Sequence, residues 1–141
     1  MKAYKIFQVI NGELYSMYAG GKAQIHYEPG KKSVGKVFRI EGTRKKIRNP
    51  IFAYRTLEDA QDYYFCLSNS FLNVQEYYEL REVKGIPWRG KLIGTTVRFT
   101  PPGGKLVLEL MPIKRVKRET PQGTVLLSSC VPVRKVEEGE G

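Results

Sequence analysis

Eight basic residues fall between Lys31 and Arg48 (Lys31, Lys32, Lys36, Arg39, Arg44, Lys45, Lys46 and Arg48). Against the single acid Glu41 they give this stretch +7 of the chain's net +10. A second cluster, Lys114, Arg115, Lys117 and Arg118, contains no acid. Ammonium and guanidinium groups at this density attract a polyanion, most simply the phosphates of nucleic acid. The candidate nucleic-acid-binding residues are therefore Lys36, Arg39, Arg44, Lys45, Lys46 and Arg48, with Lys114, Arg115, Lys117 and Arg118 as a second group. Tyr54 and Trp88, each followed by an arginine (Arg55, Arg89), are the candidates for stacking on unpaired bases. The bland reading of the same charges is a solvated loop that keeps the protein dispersed, and a lone Trp is more often a core side chain than a platform.

Other chemistry-bearing residues do not assemble into a site. His26 is the single histidine, and acid–base catalysis or metal binding needs partners at workable spacing that the sequence does not supply. Cys66 and Cys130 are far apart with apolar neighbours, which reads as two free, buried thiols rather than a disulfide framework or a nucleophile. Gly20-Gly21-Lys22 and Gly103-Gly104-Lys105 echo a phosphate-cradling loop. The first glycine of that motif is replaced by Ser16 or Phe99 and its final Ser/Thr by Ala23 or Leu106, so both are hairpin turns. No catalytic residue, metal site or cofactor is expected.

These side chains have to be placed by a small set of elements. Asn11-Gly12 supplies the positive φ angles of a two-residue hairpin turn between strands at Ala3–Ile10 and Leu14–Tyr18. Ile25–Tyr27 starts a further strand, and Ser33–Ile40 reads as one strand leading into the basic loop. Ile51–Tyr54 is a short apolar segment before one helix near residues 56–68. Thr56 and Asp59 form its capping box, and Leu57, Ala60, Tyr64 and Leu67 share a face. Tyr77–Val83 is a strand broken by Gly85-Ile86-Pro87, and Lys91–Phe99 and a long Lys105–Arg118 come next. Thr124–Val131 is last, with Pro132 demoting the residues after it to an edge. The predicted class is α+β: a mostly antiparallel sheet, bent or barrel-like, with one short helix. Residues 1–136 read as a single domain and 137–141 as an acidic tail.

The series Tyr4-Lys5-Ile6, Asn11-Gly12-x-Leu14-Tyr15-Ser16, Ala19-Gly20, Tyr27-x-Pro29-Gly30 and Phe52-x-Tyr54-x-Thr56-Leu57-x-x-Ala60 resembles a group of small uncharacterised prokaryotic and phage proteins. The resemblance covers residues 4–68 and its motifs are a turn, a strand pair and a capped helix. It implies a scaffold and a prokaryotic or viral origin, and carries no functional residue.

With 41% hydrophobic and 27% charged residues the 141-residue chain is composed like a globular protein. It has no apolar run of bilayer-spanning length and no leader pattern, so a cytoplasmic protein without a membrane partner is expected. The leading expectation is a small, basic, non-enzymatic protein that binds nucleic acid or a nucleoprotein. The alternatives are an adaptor or inhibitor docking on an acidic protein, and an enzyme acting on a nucleotide substrate around His26.

Overall fold

The computed structural model describes residues 1–17, 24–39, 46–48, 50–70, 73–88, 95–99, 106–110 and 123–137. In chain order the elements are β1 (Lys2–Ile10), β2 (Glu13–Tyr15), β3 (His26–Tyr27), β4 (Ser33–Val34), β5 (Val37–Arg39), β6 (Lys46–Arg48) and β7 (Ile51–Tyr54). Then come α1 (Leu57–Ser70), the one-turn α2 (Val74–Tyr77), β8 (Tyr78–Pro87), β9 (Thr95–Phe99), β10 (Leu106–Leu110) and β11 (Thr124–Lys135).

Four strands close on themselves. β1 pairs with β7 and with β8, and β11 pairs with the same two, all antiparallel, so β1-β7-β11-β8 is a ring. Closure pairs each of the four on both sides over part of its length, while β2 and β3 extend the sheet beyond β1 and β4 extends it beyond β11. Alternation along β1 sends Ala3 and Phe7 into the ring, where they pack with Ile51, Ala53, Val83, Leu127 and Cys130. Leu14, Ile25 and Tyr27 extend that core, and the Phe7 and Tyr27 rings meet edge-on with centroids 5.0 Å apart. The opposite face of β1 gives Ile6 to a second core with Leu80, Ala60, Tyr63, Leu67 and Val74. Burying a side chain such as Phe7 contributes about 2–3 kcal/mol. The expected α+β architecture with a barrel-like antiparallel sheet and a short helix is therefore the one observed.

The local signals act as expected at the hairpin and at the helix. Asn11 has φ 51° and Gly12 φ 79°, and the turn joins β1 to β2 with Ile10 opposite Glu13. The Asp59 amide donates to Thr56 Oγ1 at 3.2 Å, and that hydroxyl donates to Asp59 Oδ2 at 2.8 Å. Ala60 and Leu67 are buried and Leu57 and Tyr64 partly so, while Tyr63, outside the expected face, also packs into the core.

Four expectations need correction. β8 runs through Gly85-Ile86-Pro87 instead of breaking there. Gly85 is buried where a Cβ would collide with the Ser129 carbonyl and the Leu127 side chain, so the glycine permits close strand approach rather than a turn. β11 runs past its expected end at Val131 to Lys135, and beyond Pro132 it pairs with β8 alone among the described strands, as the expected edge. The missing amide is accommodated by a register shift between Pro132 and Arg134, and the Pro132 carbonyl accepts from the Gly30 amide at 2.8 Å. The expected Ser33–Ile40 strand is two strands with different partners: β4 adds to β11, whereas β5 pairs with β6. Tyr77, expected to open a strand, instead ends α2. Of the expected strands at Leu14–Tyr18, Lys91–Phe99 and Lys105–Arg118, residues 18, 91–94, 105 and 111–118 lie outside the described residues, as do the glycine pairs at 20–21 and 103–104.

Candidate nucleic-acid interface

Three residues of the first basic cluster, Arg39, Lys46 and Arg48, are carried by a two-stranded ribbon. Val37 lies opposite Arg48, Phe38 opposite Ile47 and Arg39 opposite Lys46. Cross-strand partners share a face and so do residues two apart. Positions 37, 39, 46 and 48 therefore fall on one face of the ribbon and 38 and 47 on the other. Three basic positions thus converge, although Arg39 and Lys46 are separated by six residues in sequence. The ribbon hydrogen-bonds as a sheet of its own, outside the ladder of the barrel. Arg48 anchors its base: the guanidinium Nη1 donates to the Gly35 carbonyl at 2.7 Å. Lys36, just before β5, is exposed. Arg44 and Lys45, in the connection between the two strands, lie outside the described residues, as do Lys114, Arg115, Lys117 and Arg118.

The two aromatic candidates differ. Tyr54 is half-buried, with its ring centroid 5.9 Å from that of Tyr63. Burial raises its hydroxyl pKa well above the usual tyrosine range, with Asp59 and Cys66 adding to the effect. Its ring belongs to the seam between the sheet and α1. Trp88 follows the end of β8, is half-buried, and donates its backbone amide to the Leu126 carbonyl at 2.9 Å.

His26 is exposed on β3. Its ring stacks on Tyr15 at 4.8 Å, and Nε2 is 3.7 Å from Glu13 Oε2 on β2. Cys130 is buried and free; burial pushes its thiol up to about 11, outweighing the opposing influence of Lys5. Cys66, read as buried, is only half-buried. Among the described residues no group of three or more His, Cys, Asp and Glu side chains is placed to hold a metal ion. Among those residues no helix is long and apolar enough to cross a membrane.

Two features escape a reading of the sequence alone. Lys5 points into the barrel, 8% exposed, and its ammonium donates to the Phe52 carbonyl at 2.6 Å. The ammonium also lies 5.7 Å from the Phe7 ring centroid and 5.9 Å from that of Tyr27. Burial pulls its pKa down to about 8. A lysine between Tyr4 and Ile6 reads as the polar residue of an alternating strand, and only ring closure turns that face inward. The second feature is the direct pairing of Lys2 with Lys84 across β1 and β8, which no local pattern signals. No family model, curated protein or solved structure matches the chain.

Proposed function

We propose that this chain is a basic, non-enzymatic binding protein that engages nucleic acid through the β5–β6 ribbon and the connection it carries. The observation that supports this most is the ribbon register, which gathers positions 39, 46 and 48 on one face within a segment of net charge +7. A two-stranded ribbon fits the width of the major groove, and its cations can equally follow the backbone of a single strand. The cluster at Lys114, Arg115, Lys117 and Arg118 is proposed as an additional phosphate contact. Trp88, half-buried after the end of β8, is the proposed stacking residue, and the Tyr54 ring packs against Tyr63.

The test is binding of a fluorescent oligonucleotide, single- or double-stranded, across a salt series. Neutralising about five phosphates gives a log–log salt slope of about −4 to −5, a loss of several hundred-fold between 50 and 200 mM salt. Arg44→Glu with Lys46→Glu should abolish most of that binding. Absence of binding at low salt, or binding unchanged in the double variant, would overturn the reading. If the same surface instead retains one stoichiometric acidic protein after nuclease treatment, the adaptor reading replaces it.

A further inference from the structure

A row of lysines crosses the outside of the barrel along β1, β8, β11 and β4. Lys2 on β1 is opposite Lys84 on β8, and Lys84 is opposite Val131 on β11. Ser33 on β4 is opposite Cys130, so Lys32 continues the row beside Val131. Like charges directly opposite one another in a sheet are destabilising, and here two lysines sit on neighbouring strands with a third in the same row. Lys2 is relieved by Glu82, 3.2 Å away, whose carboxylate is also 3.5 Å from Arg134. Lys84 and Lys32 have no ion-pair or hydrogen-bond partner among the described residues, and Glu28, the acid nearest Lys32 in sequence, is held by Lys31 at 2.7 Å.

The row does not stand on a flat surface. Lys2, Lys32 and Lys84 rim an open depression of about 430 Å³, with Ile86 and Val131 in its lining. Ile86 is 56% exposed, an unusual position for a β-branched apolar side chain among lysines. Gly85 also contributes to the lining, held in the ladder by its amide donating to the Met1 carbonyl at 2.9 Å. The volume is within the range of small-molecule sites, about 300–1,000 Å³. Apolar surface with cations at its rim, two of them without a counter-charge among the described residues, matches a ligand with an apolar body and one anionic head.

We propose that this depression is a binding site for a small amphipathic organic anion, whose phosphate head is held by Lys32 and Lys84 and whose apolar part lies on Ile86 and Val131. None of the lining residues belongs to the ribbon. The phosphate head could belong to an alkyl phosphate or to a nucleotide, and the two are separated by experiment.

The test is titration of the isotopically labelled protein, followed by amide chemical shifts, with octyl phosphate, adenosine monophosphate and inorganic phosphate. Saturable shifts at Gly85, Ile86 and Val131 are expected with at least one of the two organic phosphates, and inorganic phosphate should bind at least tenfold more weakly. Lys32→Ala with Lys84→Ala removes two exposed charge contacts, so affinity should fall about tenfold. Both side chains are on the surface, and an unchanged amide spectrum will show that the variant is folded. Arg39→Gln with Lys46→Gln should leave this binding unchanged, which separates it from the ribbon. Absence of saturable shifts with both organic phosphates, equal affinity for inorganic phosphate, or undiminished binding by the Lys32/Lys84 variant would each overturn the proposal.

Discussion

The Lys5 ammonium is tethered to the Phe52 carbonyl, 2.6 Å away, inside a ring of four strands. The contact joins β1 to β7 across the barrel wall and leaves a cation where most of its neighbours are apolar. Its effect on stability is set by protonation. Burial lowers the Lys5 pKa from 10.5 to about 8, so the folded protein releases this proton before the unfolded chain does. Between those values the unfolded state binds more protons, and stability rises with pH. Cys130 acts in the opposite sense: its thiol goes from 9.0 up to about 11, so the folded state keeps a proton that the unfolded state loses, and stability falls as pH rises through that window. Tyr27, raised by burial, adds to the fall at higher pH. Stability should therefore peak near pH 9, about 1 kcal/mol above its value at pH 7.5. Urea unfolding at half-unit pH steps measures this. Lys5→Met should remove the rise, and the same rise in that variant would rule Lys5 out as its source.

Gly85→Ala should destabilise the fold by about 2–3 kcal/mol, because the added methyl meets the Ser129 backbone and the Leu127 side chain where β8 and β11 approach. A lower urea midpoint with an unchanged slope is the expected result. A change below about 0.5 kcal/mol, the size typical of an ordinary surface site, would show that the strands can separate there without penalty.

Thr56→Ala removes the acceptor for the Asp59 amide at the start of α1. A loss of about 1 kcal/mol is expected, and Thr56→Asp should recover most of it. Equal stability of the Ala and Asp variants would mean that the side chain does not serve as a cap.

Arg39→Gln with Lys46→Gln neutralises one cross-strand pair of the ribbon. If both residues contact phosphate, the salt slope of nucleic-acid binding should become shallower by about 2. A parallel line, weaker but with the same slope, would place the phosphate contacts elsewhere.

Signals confined to a few neighbouring residues could be read directly. Asn11-Gly12 specifies its turn because positive φ at both positions is a local property, and Thr56 with Asp59 marks the helix start for the same reason. Gly85 misled because it looks like punctuation, and Pro132 because it hides how far β11 runs. Their meaning depends on strands far away in sequence: Gly85 on the approach of Ser129, and Pro132 on the carbonyl bond from Gly30 and a register shift beside it. The basic stretch was visible as charge, but its division between β4 and the β5–β6 ribbon was not, because those strands pair with different partners. Lys2 and Lys84 are 82 residues apart, so their shared row exists only after the barrel closes.

The closed ring also sets the order in which the molecule can assemble. β1, within the first ten residues, finds its long partner β8 only at residues 78–87, and both depend on β11 at 124–135 to complete the circle. Such high contact order makes folding slow, in the range of milliseconds to seconds. On the ribosome the β1–β2 hairpin and α1 emerge early, but the barrel cannot close until β11 has been synthesised. Until then the apolar face of β1 must stay in solution without its final cover, and a nascent chain stalled short of residue 124 presents that face to chaperones or to other chains.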